Sequence, residues 1–208
     1  MQITSQTIKN LIVTVNILIC TSALADPVIN QSRLDRYREE YKDAVTPIKY
    51  ILTHEDESPC CSDTSGKKVY ILNIRQNAPG KLAYSSEINK LFKEHFEVEI
   101  DSESLISTPN ADYIVLTMSR PAEYSDRKVR CAAGMGESRA FLVSVSGNKV
   151  DIINRDLSDC NHKYRVLRTP TATGYKVSSI NGAGKPVSFL LHGTSFIRSN
   201  DPVSKEEK

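Results

Sequence analysis

The sequence predicts an α+β domain: an N-terminal helix and a small α/β layer, then an antiparallel β-meander stapled by a disulfide. Three observations carry this. Helical periodicity is confined to the first half of the chain. A hairpin with a glycine turn dominates the second half. Four cysteines remain once an N-terminal leader is set aside.

The leader comes first. Lys9 precedes an apolar stretch from Leu11 to Cys20, and Ala23-Leu24-Ala25 puts small residues where a signal peptidase inspects them. Residues 1–25 therefore read as a signal peptide with cleavage after Ala25. The stretch is about half the length that spans a bilayer. Residues 26–199 form the expected domain, and 200–208 read as a disordered polar tail. The expected location is the periplasm or the exterior.

The helix is predicted over Ser32 to Val45, where Leu34, Tyr37, Tyr41 and Val45 share a face, with Pro47 ending it. The polar segment from His54 to Lys68 reads as a loop and holds Cys60 and Cys61. Val69 to Ile74 is a strand. Ile88, Leu91, Phe92, His95 and Phe96 form the stripe of a second helix, capped by Ser85 or Ser86. Short strands follow at Val98 to Ile100 and Asp112 to Met118. This order of strand, helix and strands suggests the small α/β layer.

From Arg139 onward the pattern is strands and turns. Ala140 to Val145 and Val150 to Ile153 flank Ser146-Gly147-Asn148-Lys149, a two-residue turn signal. The turn sets Val145 against Val150, Val143 against Ile152 and Leu142 against Ile153. Further strands are expected at Tyr164 to Leu167, Tyr175 to Ile180 and Val187 to Leu191.

Extending the hairpin brings Cys131 near Cys160, and their direct disulfide is the favoured pairing. The alternative bonds each to Cys60 or Cys61 and ties the N-terminal loop to the sheet. A bond between the adjacent Cys60 and Cys61 would need a strained ring. Adding His54 or His162 to these cysteines matches no standard zinc spacing, so no metal and no cofactor is expected.

Charge excludes little but narrows the partner. Removing the leader takes one Lys and no acid from the 27 basic and 25 acidic residues. This near balance gives no basis for nucleic-acid binding. Tryptophan is absent, so a stacking platform would rest on tyrosines.

One segment stands out as a candidate contact surface: Cys131-Ala132-Ala133-Gly134-Met135-Gly136-Glu137, running into Ser138 and Arg139. It lacks the Lys-Ser/Thr ending of a phosphate loop and runs into a strand, where a dinucleotide fingerprint or a nucleophile elbow opens a helix. A turn with positive φ at a glycine is the simpler account. Gly134, Gly136, Glu137 and Arg139 are the candidate binding residues. Replacing Glu137 and Arg139 should weaken binding and leave stability nearly intact.

This segment, with the strand after it and Cys160 downstream, loosely resembles uncharacterised exported proteins of Gram-negative bacteria. Those carry a Cys-Gly-Ala-Gly-x-Glu-like run. Here Ala132 replaces the first glycine and Gly136 is added. The resemblance spans about thirty residues; it implies a periplasmic setting and no activity. The expected function is a non-catalytic periplasmic binding protein of inhibitor, immunity or envelope-accessory type, its partner another envelope protein. The alternative is a small envelope hydrolase using a Ser or Cys with His162 or His192 as base.

Overall fold

In the computed structural model, residues 27–54, 68–125, 131, 136–182 and 184–199 are described. The leader, Cys60, Cys61, Gly134 and the tail lie outside them.

Asn30 caps the first helix, α1 (Gln31–Glu40), its side chain accepting from the Ser32 N–H at 2.9 Å. The helix stops short of Val45, which is fully exposed: no burial there offsets the entropy of another turn. Next come β1 (Tyr50–His54), β2 (Val69–Asn73) and β3 (Leu82–Ala83), an antiparallel three-stranded sheet in the order β1-β2-β3. Leu34 of α1 packs on Ile51, Tyr70, Leu72 and Leu82 of its outer face. Arg33 is buried there and donates to Thr53 Oγ1 at 2.8 Å and to the Tyr37 hydroxyl.

The second helix, α2 (Ser86–Lys93), is capped by Ser85, whose hydroxyl accepts from the Ile88 N–H at 3.4 Å. Asn89 turns inward and pairs with both the N–H and the carbonyl of Val69, each at 2.8 Å. His95 lies beyond the helix end. It has a left-handed φ of 64°, is exposed, and stacks on Tyr124 at 4.0 Å.

Eight strands follow in one antiparallel meander: β4 (Glu97–Ser107), β5 (Asp112–Arg120), β6 (Glu137–Ser146), β7 (Lys149–Asp159), β8 (His162–Arg168), β9 (Thr173–Ser179), β10 (Val187–His192) and β11 (Ser195–Ser199). The expected α+β architecture with a small α/β layer is therefore corrected to a β-rich fold. Strand positions make up 54 % of the described residues and helix 12 %. The early strands pair antiparallel with each other, and the meander already begins at β4.

The sheet folds over between β7 and β8, which pair only at Asp159↔His162. One face of β4–β7 carries Val98, Ile114, Leu116, Phe141 and Val143, packed on α2 and the small sheet. The other face carries Tyr113, Val115, Ala140, Leu142 and Leu157, packed on Tyr175 and Val177 of β9. Two hydroxyls fasten the fold-over. Tyr175 donates to the Ser104 carbonyl at 2.8 Å, and Tyr113 donates to the Thr194 carbonyl at 2.7 Å. Among the described residues, no helix is long and apolar enough to cross a membrane.

Candidate functional site

The β6–β7 hairpin builds the site. Val145 faces Val150 and Val143 faces Ile152, as the turn predicts, with Gly147 at a φ of 61°. The register then slips. Leu142 faces Asn154 and Ala140 faces Ser158, because bulges add residues to β7. Ile153, expected opposite Leu142, is left half-exposed by the slip.

The slip moves the end of β7 and keeps the cysteines together. Cys160 follows β7 directly in the turn to β8, and the Cys131 N–H donates to the Gly136 carbonyl at 3.0 Å. Cys131 and Cys160 are disulfide-bonded, with their Cα atoms 5.2 Å apart. The predicted pairing is the one found.

Gly136 owes its place to a close approach. A β-carbon there would sit 1.8 Å from the Arg120 carbonyl oxygen, so the backbone admits no larger residue. Glu137 follows, opposite Arg120 in the β5–β6 ladder, and is 2 % exposed. Arg120 reaches Glu137 Oε2 through Nε at 2.8 Å and Nη2 at 2.6 Å. Arg139 meets Oε1 as an ion pair rather than as a well-directed hydrogen bond. Both guanidinium groups lie over the Phe96 ring, Arg120 at 4.5 Å and Arg139 at 5.9 Å. Glu137 is thus no free surface carboxylate. Its removal strands a cation, and the expectation that the fold tolerates its loss gives way to a stability cost.

Beside this triad, a cleft of about 720 Å³ opens between the ends of β6 and β7 and the inner face of β9–β11. Leu157, Val177, Val187 and Phe189 supply its apolar lining, while Arg139, Asp156, Asp159, His162 and Arg198 supply charge of both signs. Asp159 is fixed by its turn. Its Oδ1 accepts from the Asn161 N–H at 2.7 Å and meets His162 Nδ1 at 2.8 Å. Burial pushes the Asp159 carboxyl up, but the hydrogen bonds from His162 and the Asn161 backbone more than offset it and hold it below the ordinary range. Ser158 Oγ donates to the His162 carbonyl, not to its ring. His192 is exposed at the end of β10.

Of the sequence candidates, the fold brings Glu137, Arg139, Cys160 and His162 together on this cleft, while Gly136 sits against the Arg120 backbone and does not line it. Gly134, Cys60 and Cys61 lie outside the described residues. Among the described residues, no cluster of three or more His, Cys, Asp or Glu side chains could hold a metal ion.

Sequence reasoning missed a second polar cluster at the other end of β5. Tyr50 donates to Asp112 Oδ2, and Lys49 Nζ lies 2.7 Å from the same oxygen. They border a cleft of about 330 Å³ between the two sheets. Burial, then the hydrogen bond to Asp112 and its charge, push the Tyr50 phenol well above its ordinary value. Burial works against the Asp112 carboxylate as well, yet hydrogen bonds from Lys49, Ser107 and Tyr50 hold its pKa down. The available signal was the run Tyr50-Ile51-Leu52-Thr53, rich in β-formers just past Pro47.

Compared with known proteins, the chain matches no family model, and neither a curated protein nor a solved structure is significantly similar to it.

Proposed function

We propose that this chain is an exported, non-catalytic binding protein of the inhibitor, immunity or envelope-accessory kind, and that it engages a protein partner at the cleft beside the Cys131–Cys160 staple. One observation carries the reading: the cleft joins an apolar lining to a rim of both charge signs. That composition suits a polypeptide surface, with apolar anchors inside a polar rim. A disulfide fits an oxidising compartment, and so do the apolar Leu11 to Cys20 stretch and Ala23-Leu24-Ala25. The resemblance of the Cys131 to Glu137 segment to exported Gram-negative proteins points the same way.

The test is capture from envelope extract with the wild-type chain and with Asp156→Lys, a charge reversal on the exposed rim. A partner held by the first and lost by the second supports the cleft. Equal capture by both removes it. N-terminal sequencing of the exported protein should begin Asp-Pro-Val; a retained Met1 would remove the export reading.

The Asp159–His162 pair favours a second reading, a small envelope hydrolase with His162 as base. Under it, His162→Ala abolishes hydrolysis of peptidoglycan or esters.

A further inference from the structure

The near balance of charge over the whole chain hides a segregation. From Cys160 to Ser199 there is no Asp or Glu, while Lys163, Arg165, Arg168, Lys176, Lys185 and Arg198 are basic. The strands of the back half therefore carry cations only. β4, by contrast, carries Glu97, Glu99, Asp101 and Glu103.

The fold gathers part of this positive charge on one face. Tyr164, Val166, Tyr175 and Val177 pack into the core beneath β8 and β9, and strand alternation sends Lys163, Arg165 and Lys176 to the outer face. Arg165 and Lys176 are direct cross-strand partners. Like charges so placed oppose strand pairing, so the fold by itself gives no reason for the arrangement. Lys185 is exposed in the turn between β9 and β10. Among the described residues, Lys163, Lys176 and Lys185 form no ion pair. Asp101 and Glu103 of β4 border only the β8 edge of this face, and Asp101 accepts from Tyr164. Two aliphatic side chains share the outer face: Leu190 is half-buried, and its cross-strand partner Ile197 is 53 % exposed.

We propose that the outer face of β8–β11 docks on an anionic phospholipid surface, with Lys163, Arg165, Lys176 and Lys185 over the headgroup phosphates and Leu190 and Ile197 against the acyl boundary. Cations without fixed acid partners suit a fluid array of phosphates, which supplies counter-charge wherever a lysine falls. Exposed aliphatic side chains among them add burial at the headgroup boundary. Other polyanions fit less well. Tyr164, Tyr175, Phe189 and Phe196 all pack inward. The face therefore lacks the rings on which single-stranded nucleic acid stacks and the aromatic anchors of a protein interface. The chain's own tail is a poor occupant, because Asp201, Glu206 and Glu207 come with Lys205 and Lys208. The choice of lipid rests in part on the export reading, since an exported chain meets such a surface in the envelope. The cleft opens on the inner face and takes no part.

Co-sedimentation of the full exported chain with vesicles of equal parts phosphatidylglycerol and phosphatidylcholine tests this. Binding should be clear at low salt, fall as ionic strength rises, and be absent on pure phosphatidylcholine. Lys163→Gln and Lys176→Gln should each weaken it about fivefold, the effect of one charge near an anionic bilayer, with circular dichroism unchanged. Ile197→Ser should weaken it as well. Lys93→Gln, at an exposed position on α2, should bind like the wild type. Asp156→Lys should not weaken it, so this proposal and the cleft reading fail separately; a retained Met1 would remove the export reading and leave the vesicle result standing. No binding to the mixed vesicles at low salt overturns the proposal. So does equal binding to pure phosphatidylcholine, a loss in Lys93→Gln as large as in Lys176→Gln, or retention by duplex DNA or polyglutamate without retention by vesicles.

Discussion

The front half of the large sheet, β4–β7, and the back half, β8–β11, solve the same problem differently. The central front strands, β5 and β6, are covered on both faces, and every residue from Asp112 to Leu116 is buried. The back strands are covered mainly on one, with Leu167 and Ser188 buried on the other. Tyr164, Val166, Tyr175 and Phe189 face inward, while Lys163, Arg165 and Lys176 sit at the alternate positions. A strand buried on both faces reads as a continuous apolar run, and a strand buried on one reads as alternation. Stability is therefore concentrated in the front half, and the cleft opens at its seam with the back half.

The largest effect expected is at that seam. Glu137→Ala should cost about 3–5 kcal/mol, because it leaves Arg120 partly buried without its counter-charge. Urea unfolding measures it. A loss below about 1 kcal/mol, the value of an exposed pair, would mean that the triad is solvated and does not hold the seam.

Next is a direct contrast between the halves. Leu116 is fully buried in β5, and Leu116→Ala should cost about 2–5 kcal/mol. Leu190 lies on the outer side of β10, only half-buried. Leu190→Ala should cost about 1 kcal/mol or less. Equal costs would break the comparison.

The staple joins the halves where their ladder is thinnest. Cys131→Ala with Cys160→Ala opens a loop with a sequence separation of 29 and should cost about 3.6 kcal/mol in the chain-entropy model. Hydrogen exchange sharpens this: β8–β11 should lose protection before β4–β7 does. Non-reducing peptide mapping should recover Cys131 with Cys160; either one linked to Cys60 or Cys61 would contradict the staple.

Much of this was legible because local chemistry decided it. The Gly147-Asn148 turn specified the near end of the hairpin, and Ser85, one of the two serines expected, caps α2. What escaped depends on contacts distant in sequence. The run from Val98 is a strand that continues to Ser107, but Asp101 to Glu103 interrupt its apolar pattern; the Asp101 side chain accepts from Tyr164 and the Glu103 carbonyl from Arg168, both distant in sequence. Ser195 to Ser199 is too short and polar to announce a strand until β10 lies beside it. Bulges in β7 leave no sequence signal, so the slip after Val143 was invisible, although the disulfide tolerated it. Glu137 looked like a surface acid because Arg120 approaches it from another strand.

The smallest effect expected comes from the hydroxyls that tie the layers. Tyr50 fastens the small sheet to the front half, and Tyr164 fastens the back half to β4. Tyr50→Phe and Tyr164→Phe should each cost about 1 kcal/mol at pH 7, the net worth of one hydrogen bond. Their pH dependence separates them from plain packing changes. Burial first, and then the neighbouring carboxylate, raise both phenols above the ordinary tyrosine pKa of about 10. A raised folded-state pKa means that the unfolded chain releases its proton first as pH rises. The stabilisation is complete below about pH 10 and is lost above it, as pH climbs toward the folded value. The wild type should therefore lose stability steeply above pH 10, and each Phe variant should lose less over the same range. Tyr175, raised mainly by burial, keeps part of the slope in both variants. Urea midpoints between pH 7 and pH 11 measure it. An alkaline limb unchanged in Tyr164→Phe but flattened in Tyr50→Phe would show that the phenol buried at the fold-over is solvated, and that the back half is held less firmly than its hydrogen bonds imply.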